Sequence, residues 1–129
     1  MKKYENFCAA LNNLAVVPCY HEPYDTVTMT GLVGLFEICF EQAWKMIKEI
    51  LEQHGYEGAA TGSPKLIIKT AYQASMIQDE NKWLSALHAR NNVAHSYNQA
   101  VALEIINQTR EQFLSMFFEL KETVDKEWL

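Results

Sequence analysis

Apolar residues recur along this chain at three- and four-residue steps almost from end to end, which is the period of an amphipathic helix. Tyr4, Phe7, Leu11 and Leu14 set the first stripe and predict a helix from about Lys2 to Val16. Pro18 and Pro23 interrupt it, so Cys19 to Thr28 reads as a loop. The second stripe is the clearest: Leu32, Leu35, Phe36, Cys39, Phe40, Ala43, Ile47, Ile50 and Leu51 share one face. Thr28 or Thr30 is the expected cap at its start, and Gly55 the expected C′ residue at its end. Glu37, Glu41, Lys45, Lys48, Glu49 and Glu52 fall mostly off the stripe. Glu41–Lys45 and Lys48–Glu52 there read as i,i+4 pairs on a solvated face.

Gly55 to Gly62 is a loop of small residues, and Ser63-Pro64 supplies an N-cap followed by an N1 proline. Leu66, Ile67, Ala71, Tyr72 and Ser75 carry that helix to about Ile77. Asp79 caps the next one, which bears Trp83, Leu84, Leu87 and Arg90, and Asn91-Asn92 weakens its end. Asn98 reads as a fresh N-cap. From there Ala102, Ile105, Ile106, Thr109, Phe113, Met116, Phe117, Leu120 and Val124 keep the period to about Glu127. Four main helices, a shorter one and short connections predict an all-α, antiparallel up-and-down four-helix bundle. One domain over residues 1–129 is expected, with no internal repeat, low-complexity tract or linker.

Composition supports a packed core: 49% hydrophobic and 21% charged residues, with only 5 Gly and 3 Pro. The charge is less ordinary. Sixteen acidic residues against 11 basic ones leave a net charge of −5, and only Arg90 and Arg110 are arginines. That balance argues against a duplex-DNA binder with a basic face and against an anionic-membrane binder. No stretch approaches the roughly 18 apolar residues of a membrane span, and Met1–Glu5 is not followed by a signal-like apolar run. Cys8, Cys19 and Cys39 lack CxxC spacing and read as reduced thiols, which places the expected location in the cytoplasm.

Several constellations carry no chemistry on inspection. Glu-x-x-His is absent and His21, His54, His88 and His95 include no i,i+4 pair, so no bundle metal site and no cofactor is expected. Gly58–Lys65 lacks the strand and the GK[ST] ending of a phosphate loop and reads as a flexible connection. Glu37 and Glu41 read as solvated carboxylates, Trp44 and Trp83 as packing anchors. His21 and His54 read as structural, and His88 as a hydrogen-bonded, semi-buried side chain.

Arg90-Asn91-Asn92-Val93-Ala94-His95-Ser96-Tyr97 stands apart. On an unbroken helix, side chains five residues apart point about 140° away from each other. The asparagines and the Asn98 cap predict a bend that brings Arg90 and His95 together. Arg supplies a permanent charge and a planar donor fork for phosphate, and His titrates near neutral pH. Those two groups suffice for metal-independent RNA cleavage with the 2′-OH as nucleophile. The spacing alone is equally that of many unrelated Arg/His pairs.

Arg90-x4-His95-x-Tyr97, with the polar Asn91 after the arginine, resembles the signature of the HEPN superfamily. More narrowly, it resembles HEPN toxins of minimal-nucleotidyltransferase toxin–antitoxin pairs, also catalogued as nucleotidyltransferase substrate-binding proteins. Phe36–Lys45, Ser63–Lys65, Ala71-Tyr72, Ile77–Asp79 and Trp83-Leu84 extend the likeness over about Phe7 to Val124. The resemblance implies a homodimeric bundle with two Arg/His motifs facing one cleft. It implies Arg90 and His95 as catalytic residues of a metal-independent endoribonuclease, with Asn91 orienting them. It further implies a small nucleotidyltransferase, encoded nearby, that transfers AMP to Tyr97 and so repels RNA phosphates. The alternative it implies is a non-catalytic substrate-binding subunit of a two-component nucleotidyltransferase. Charge divides to suit a local site. Residues 1–59 hold four basic and eight acidic groups (−4), residues 101–129 three and six (−3), and the motif block 60–100 four and two (+2).

Overall fold

The computed structural model describes all 129 residues and is all-helical. The helices are α1 (Lys2–Leu14), α2 (Thr26–Gln53), α3 (Pro64–Gln73), α4 (Glu80–Asn91), α5 (Gln99–Gln108) and α6 (Leu114–Glu127). A π-turn over Thr109–Phe113 joins α5 to α6, so the predicted last helix is one rod with an expanded turn in it. Helix α2, 28 residues long, is the spine: α1, α3, α4 and α5 all pack on it, and α6 closes against α1.

The caps explain where the helices begin and end. Asp25, not Thr28 or Thr30, starts α2: its carboxylate accepts the Thr28 N–H at 2.7 Å. Asp25 lies just outside the helix, where its backbone is extended, whereas Thr28 and Thr30 already lie within it. Ser63, Asp79 and Asn98 cap α3, α4 and α5 as the sequence predicts. Gly55, at φ +83°, ends α2; the N–H of Gly55 reaches the Glu52 carbonyl and that of Tyr56 reaches Leu51. Ser75 and Met76 repeat the same double closure at the end of α3, with Ser75 at φ +64°. That closure stops α3 short of the expected Ile77, and it turns Met76 into the core, where it is fully buried. Similarly α1 stops at Leu14, and Val17–Cys19 forms a 3₁₀ turn.

Thirty-three buried side chains form one continuous apolar cluster. Its centre is aromatic. Phe36 of α2 stacks on Phe113 with ring centres 5.2 Å apart, and Phe117 meets Trp83 edge-on at 5.5 Å and Phe7 at 6.3 Å. Thr109, in the π-turn, is the one buried polar residue; its hydroxyl donates to the Ile105 carbonyl at 2.8 Å, so it brings no unmet polar group inside. At the surface, Tyr4 of α1 donates to Asp125 of α6, and Lys121 reaches the same carboxylate at 3.1 Å. These two bonds, that of Tyr4 foremost, hold the Asp125 carboxyl below the usual range. No helix is long and apolar enough to cross a membrane.

Candidate functional site

The motif segment begins where α4 runs out. Asn92 ends α4 and also starts a 3₁₀ turn over Val93–His95. After that turn the Asn98 side chain, accepting the Ala100 N–H at 2.9 Å, starts α5 at Gln99, so α4 and α5 are separate helices. The bend the asparagines predict is therefore present. His95 and Tyr97 ride on it, both exposed, with ring centres 6.3 Å apart. Tyr97 is 87% exposed, the most open of the large hydrophobic side chains.

Arg90 lies one turn earlier, on α4 proper. Its Nε donates to Glu41 of α2 at 2.5 Å and its Nη1 to the Asn91 side-chain oxygen at 3.1 Å. The second carboxylate oxygen of Glu41 accepts the Trp44 indole N–H at 3.0 Å. The side chains of Arg90 and Glu41 are only 28% and 24% exposed, so this bridge is partly withdrawn from water. Arg90 and Asn91 are thus joined, and His95 and Tyr97 lie side by side. No hydrogen bond joins Arg90 to His95: the arginine's partners are Glu41 and Asn91.

Glu41 is not a solvated carboxylate paired with Lys45; it crosses to Arg90, 49 residues away, and ties α2 to α4. The Lys48–Glu52 pair is likewise absent, and the i,i+4 ion pairs that form are Lys121–Asp125 and Lys126–Glu122. Trp44 is half-buried and anchored by its N–H as well as its rings, whereas Trp83 is a core residue, 2% exposed. His88 is exposed rather than semi-buried, though it has the expected hydrogen bond, to Asn92 at 3.2 Å. His54 secures the chain's end by meeting the Trp128 carbonyl at 3.3 Å and its ring edge-on at 4.8 Å.

The other arginine is also spent on tertiary structure. Arg110, in the π-turn, donates through Nη2 to the Tyr20 carbonyl and, at 2.6 Å, to the Tyr24 hydroxyl. This bond pins the α1–α2 loop, and the sequence contains no local signal for it. For Glu41 the sequence shows only a place beside Phe40 and one turn before Trp44, at the edge of the apolar stripe, and nothing there points to Arg90. No cluster of three or more His, Cys, Asp or Glu side chains able to hold a metal ion is present.

The fold is an all-α helical bundle that projects a polar turn carrying an exposed tyrosine between α4 and α5. The chain belongs to the nucleotidyltransferase substrate binding protein like family, whose sequence model matches residues 2–126. A Haemophilus influenzae protein described as revealing the fold of a substrate binding domain of a nucleotidyltransferase superposes with a TM-score of 0.82. The two are 23% identical over 95% of this chain and 99% of that one. A Thermus thermophilus protein superposes with a TM-score of 0.77 at 25% identity, over 88% of this chain and 94% of its own. No curated protein sequence matches the chain. These likenesses establish the helical-bundle fold.

Proposed function

We propose that this chain is the partner subunit of a two-component nucleotidyltransferase and that Tyr97 is the group it presents to the transferase. The observation that carries this reading is the position of Tyr97: 87% exposed, on the turn between α4 and α5, in a member of a family named for nucleotidyltransferase substrate binding. The phenol oxygen of Tyr97 attacks the α-phosphorus of ATP, the bond to the leaving pyrophosphate breaks, and the phenol proton passes to a base. The product is Tyr97 linked to AMP by a phosphodiester. The transferase supplies the nucleotide and its metal; this chain supplies the acceptor and the surface around it. A small transferase encoded nearby and a cytoplasmic setting go with this reading.

A second reading is favoured by the bonds around Arg90. Asn91 and Glu41 fix the guanidinium from two sides, and His95 is exposed on the next turn. In a homodimer the Arg90–His95 sets of two protomers would face one cleft. There His95 takes the 2′-OH proton of an RNA, the oxygen attacks the adjacent phosphorus, and the 5′-oxygen leaves with a proton. Arg90 offsets charge on the phosphorane, and the products are a 2′,3′-cyclic phosphate and a 5′-OH end. An AMP on Tyr97 adds bulk and negative charge beside that cleft and turns cleavage off.

Mass spectrometry after co-expression with the neighbouring transferase tests the first reading. One AMP on Tyr97, absent from Tyr97→Phe, is expected; an unmodified Tyr97 overturns it. Incubation of the purified chain with tRNA in EDTA tests the second. Cleavage lost in His95→Ala supports it, and no cleavage by the wild type, or equal cleavage by both, leaves the non-catalytic subunit.

A further inference from the structure

Beside Tyr97 the surface opens into a groove of about 570 Å³ between the start of α2 and the segment that leads into α5. We propose that this groove receives the base and ribose of a nucleotide. The inference deepens the reading of Tyr97 as a nucleotidyl acceptor and rests on it for the identity of the ligand, but the groove makes its own argument. No charged side chain lines it, so inorganic phosphate finds no cation there. Tyr24 and Tyr97 are among its lining residues and can offer aromatic faces, and Met29 adds an apolar neighbour. Thr30, Ser96 and Gln99 add hydroxyl and amide groups that both donate and accept. A flat, uncharged, aromatic ligand with several hydrogen-bonding edges suits this lining; a nucleoside is that kind of molecule. The volume falls within the roughly 300–1,000 Å³ of small-ligand sites. A group carried on the Tyr97 hydroxyl would start at the rim, with its phosphate in the open and its nucleoside free to fold back into the groove.

The second arginine supports the same assignment. Arg110 donates to the Tyr24 hydroxyl at 2.6 Å and to the Tyr20 carbonyl, and Tyr24 itself donates to Tyr20 at 3.4 Å. The wall formed by Tyr24 is therefore anchored from the π-turn, across 86 residues of sequence. Arg110 is a positioning residue for the groove: it fixes the ring against which a base would stack, without lining the groove itself.

The test is a titration of the full-length, isotope-labelled chain, alone, with AMP, followed by amide chemical shifts. Saturable shifts confined to Thr30, Ala94, Ser96, Tyr97 and Gln99 are expected. Adenosine should reproduce them, and ribose 5-phosphate and inorganic phosphate should not. Thr30→Trp, an exposed helical position whose new ring fills the groove, should weaken AMP by about tenfold or more, equal to one decade in Kd. Arg110→Gln should weaken AMP as well, and that effect should shrink in a Tyr24→Phe background, which keeps the ring but removes the hydroxyl that Arg110 holds. A general loss of stability would not produce that outcome. The proposal is overturned by shifts that map elsewhere, by equal shifts with phosphate alone, by absence of saturable binding, or by wild-type affinity in Thr30→Trp. Because no transferase takes part, failure here is distinct from failure of Tyr97 to become modified, which mass spectrometry reads separately.

Discussion

Replacing Glu41 by alanine should be the most informative single change at the site. The carboxylate of Glu41 is the acceptor for two side chains at once, Arg90 Nε at 2.5 Å and Trp44 Nε1 at 3.0 Å. Its side chain is 24% exposed and that of Arg90 28%, so neither the full value of a buried pair nor the near-zero value of a surface pair applies. A charge-assisted hydrogen bond contributes about 1.5–3 kcal/mol when buried. Discounting for partial exposure and adding a weaker indole bond gives a loss of about 2 kcal/mol. At this chain length, each kcal/mol lowers Tm by about 4 °C, so a fall of about 8 °C is expected in calorimetry or by circular dichroism. A cycle of Glu41→Ala, Arg90→Ala and the double variant should give a coupling of about 1 kcal/mol, reduced but not abolished by raised salt. Glu37→Ala, one turn earlier on α2, is the control and should leave Tm nearly unchanged. A Tm for Glu41→Ala within about 2 °C of wild type (about half a kcal/mol), or zero coupling with Arg90, would refute the bridge.

Ser75, a non-glycine residue at φ +64°, should be improved by glycine: Ser75→Gly should raise stability by about 0.5–1 kcal/mol in a urea titration, and a loss would show that the serine side chain has a role of its own. The Thr28 N–H bond holds the carboxyl of Asp25 below its ordinary value. Asp25 therefore adds stability above the unfolded carboxyl pKa, and this is lost as pH falls through the lower folded one. Tm of Asp25→Ala should accordingly approach that of wild type between about pH 5 and pH 2, and a gap that does not narrow would argue against the cap. Burial pushes the Cys39 thiol well above its ordinary pKa, whereas Cys19 is exposed, so iodoacetamide should label Cys19 in the folded chain and Cys39 only after unfolding. Labelling of Cys39 in the folded chain would contradict its burial.

Helices were legible because their signals are local. The 3.6-residue stripe of Leu32 to Leu51, the Ser63-Pro64 start, the Asp79 and Asn98 caps and Gly55 each act within a few residues. The boundaries that moved did so for tertiary reasons: α3 ends at Gln73 because Met76 has a place in the core. The π-turn was hidden, since Thr109, Phe113, Met116 and Phe117 keep three- and four-residue steps across it. At the site, the segment Arg90–Tyr97 could be picked out from residue types and from resemblance, and the bend from its asparagines. The partner of Arg90 could not, because a contact between residues 41 and 90 leaves no trace in the spacing. Taking Glu41 for a wet-face residue followed from counting along one helix only. The groove beside Tyr97 was equally out of reach, since it joins Tyr24 and Thr30 to residues more than sixty positions away.

The bonds of Arg90 have a consequence for how it meets any anion. Two of its five N–H donors are already engaged, one by Glu41 and one by Asn91, and the remaining three share one plane. A free surface arginine must give up several rotatable bonds of freedom when a ligand arrives, a cost of about 0.5–1.5 kcal/mol per side chain. In this chain that entropy is surrendered during folding, so an incoming phosphate would meet a fixed fork instead of a searching one. The same fixation makes the position unforgiving. Lysine could keep the charge of Arg90 but could not hold Glu41 and Asn91 while still offering a planar edge to a third group.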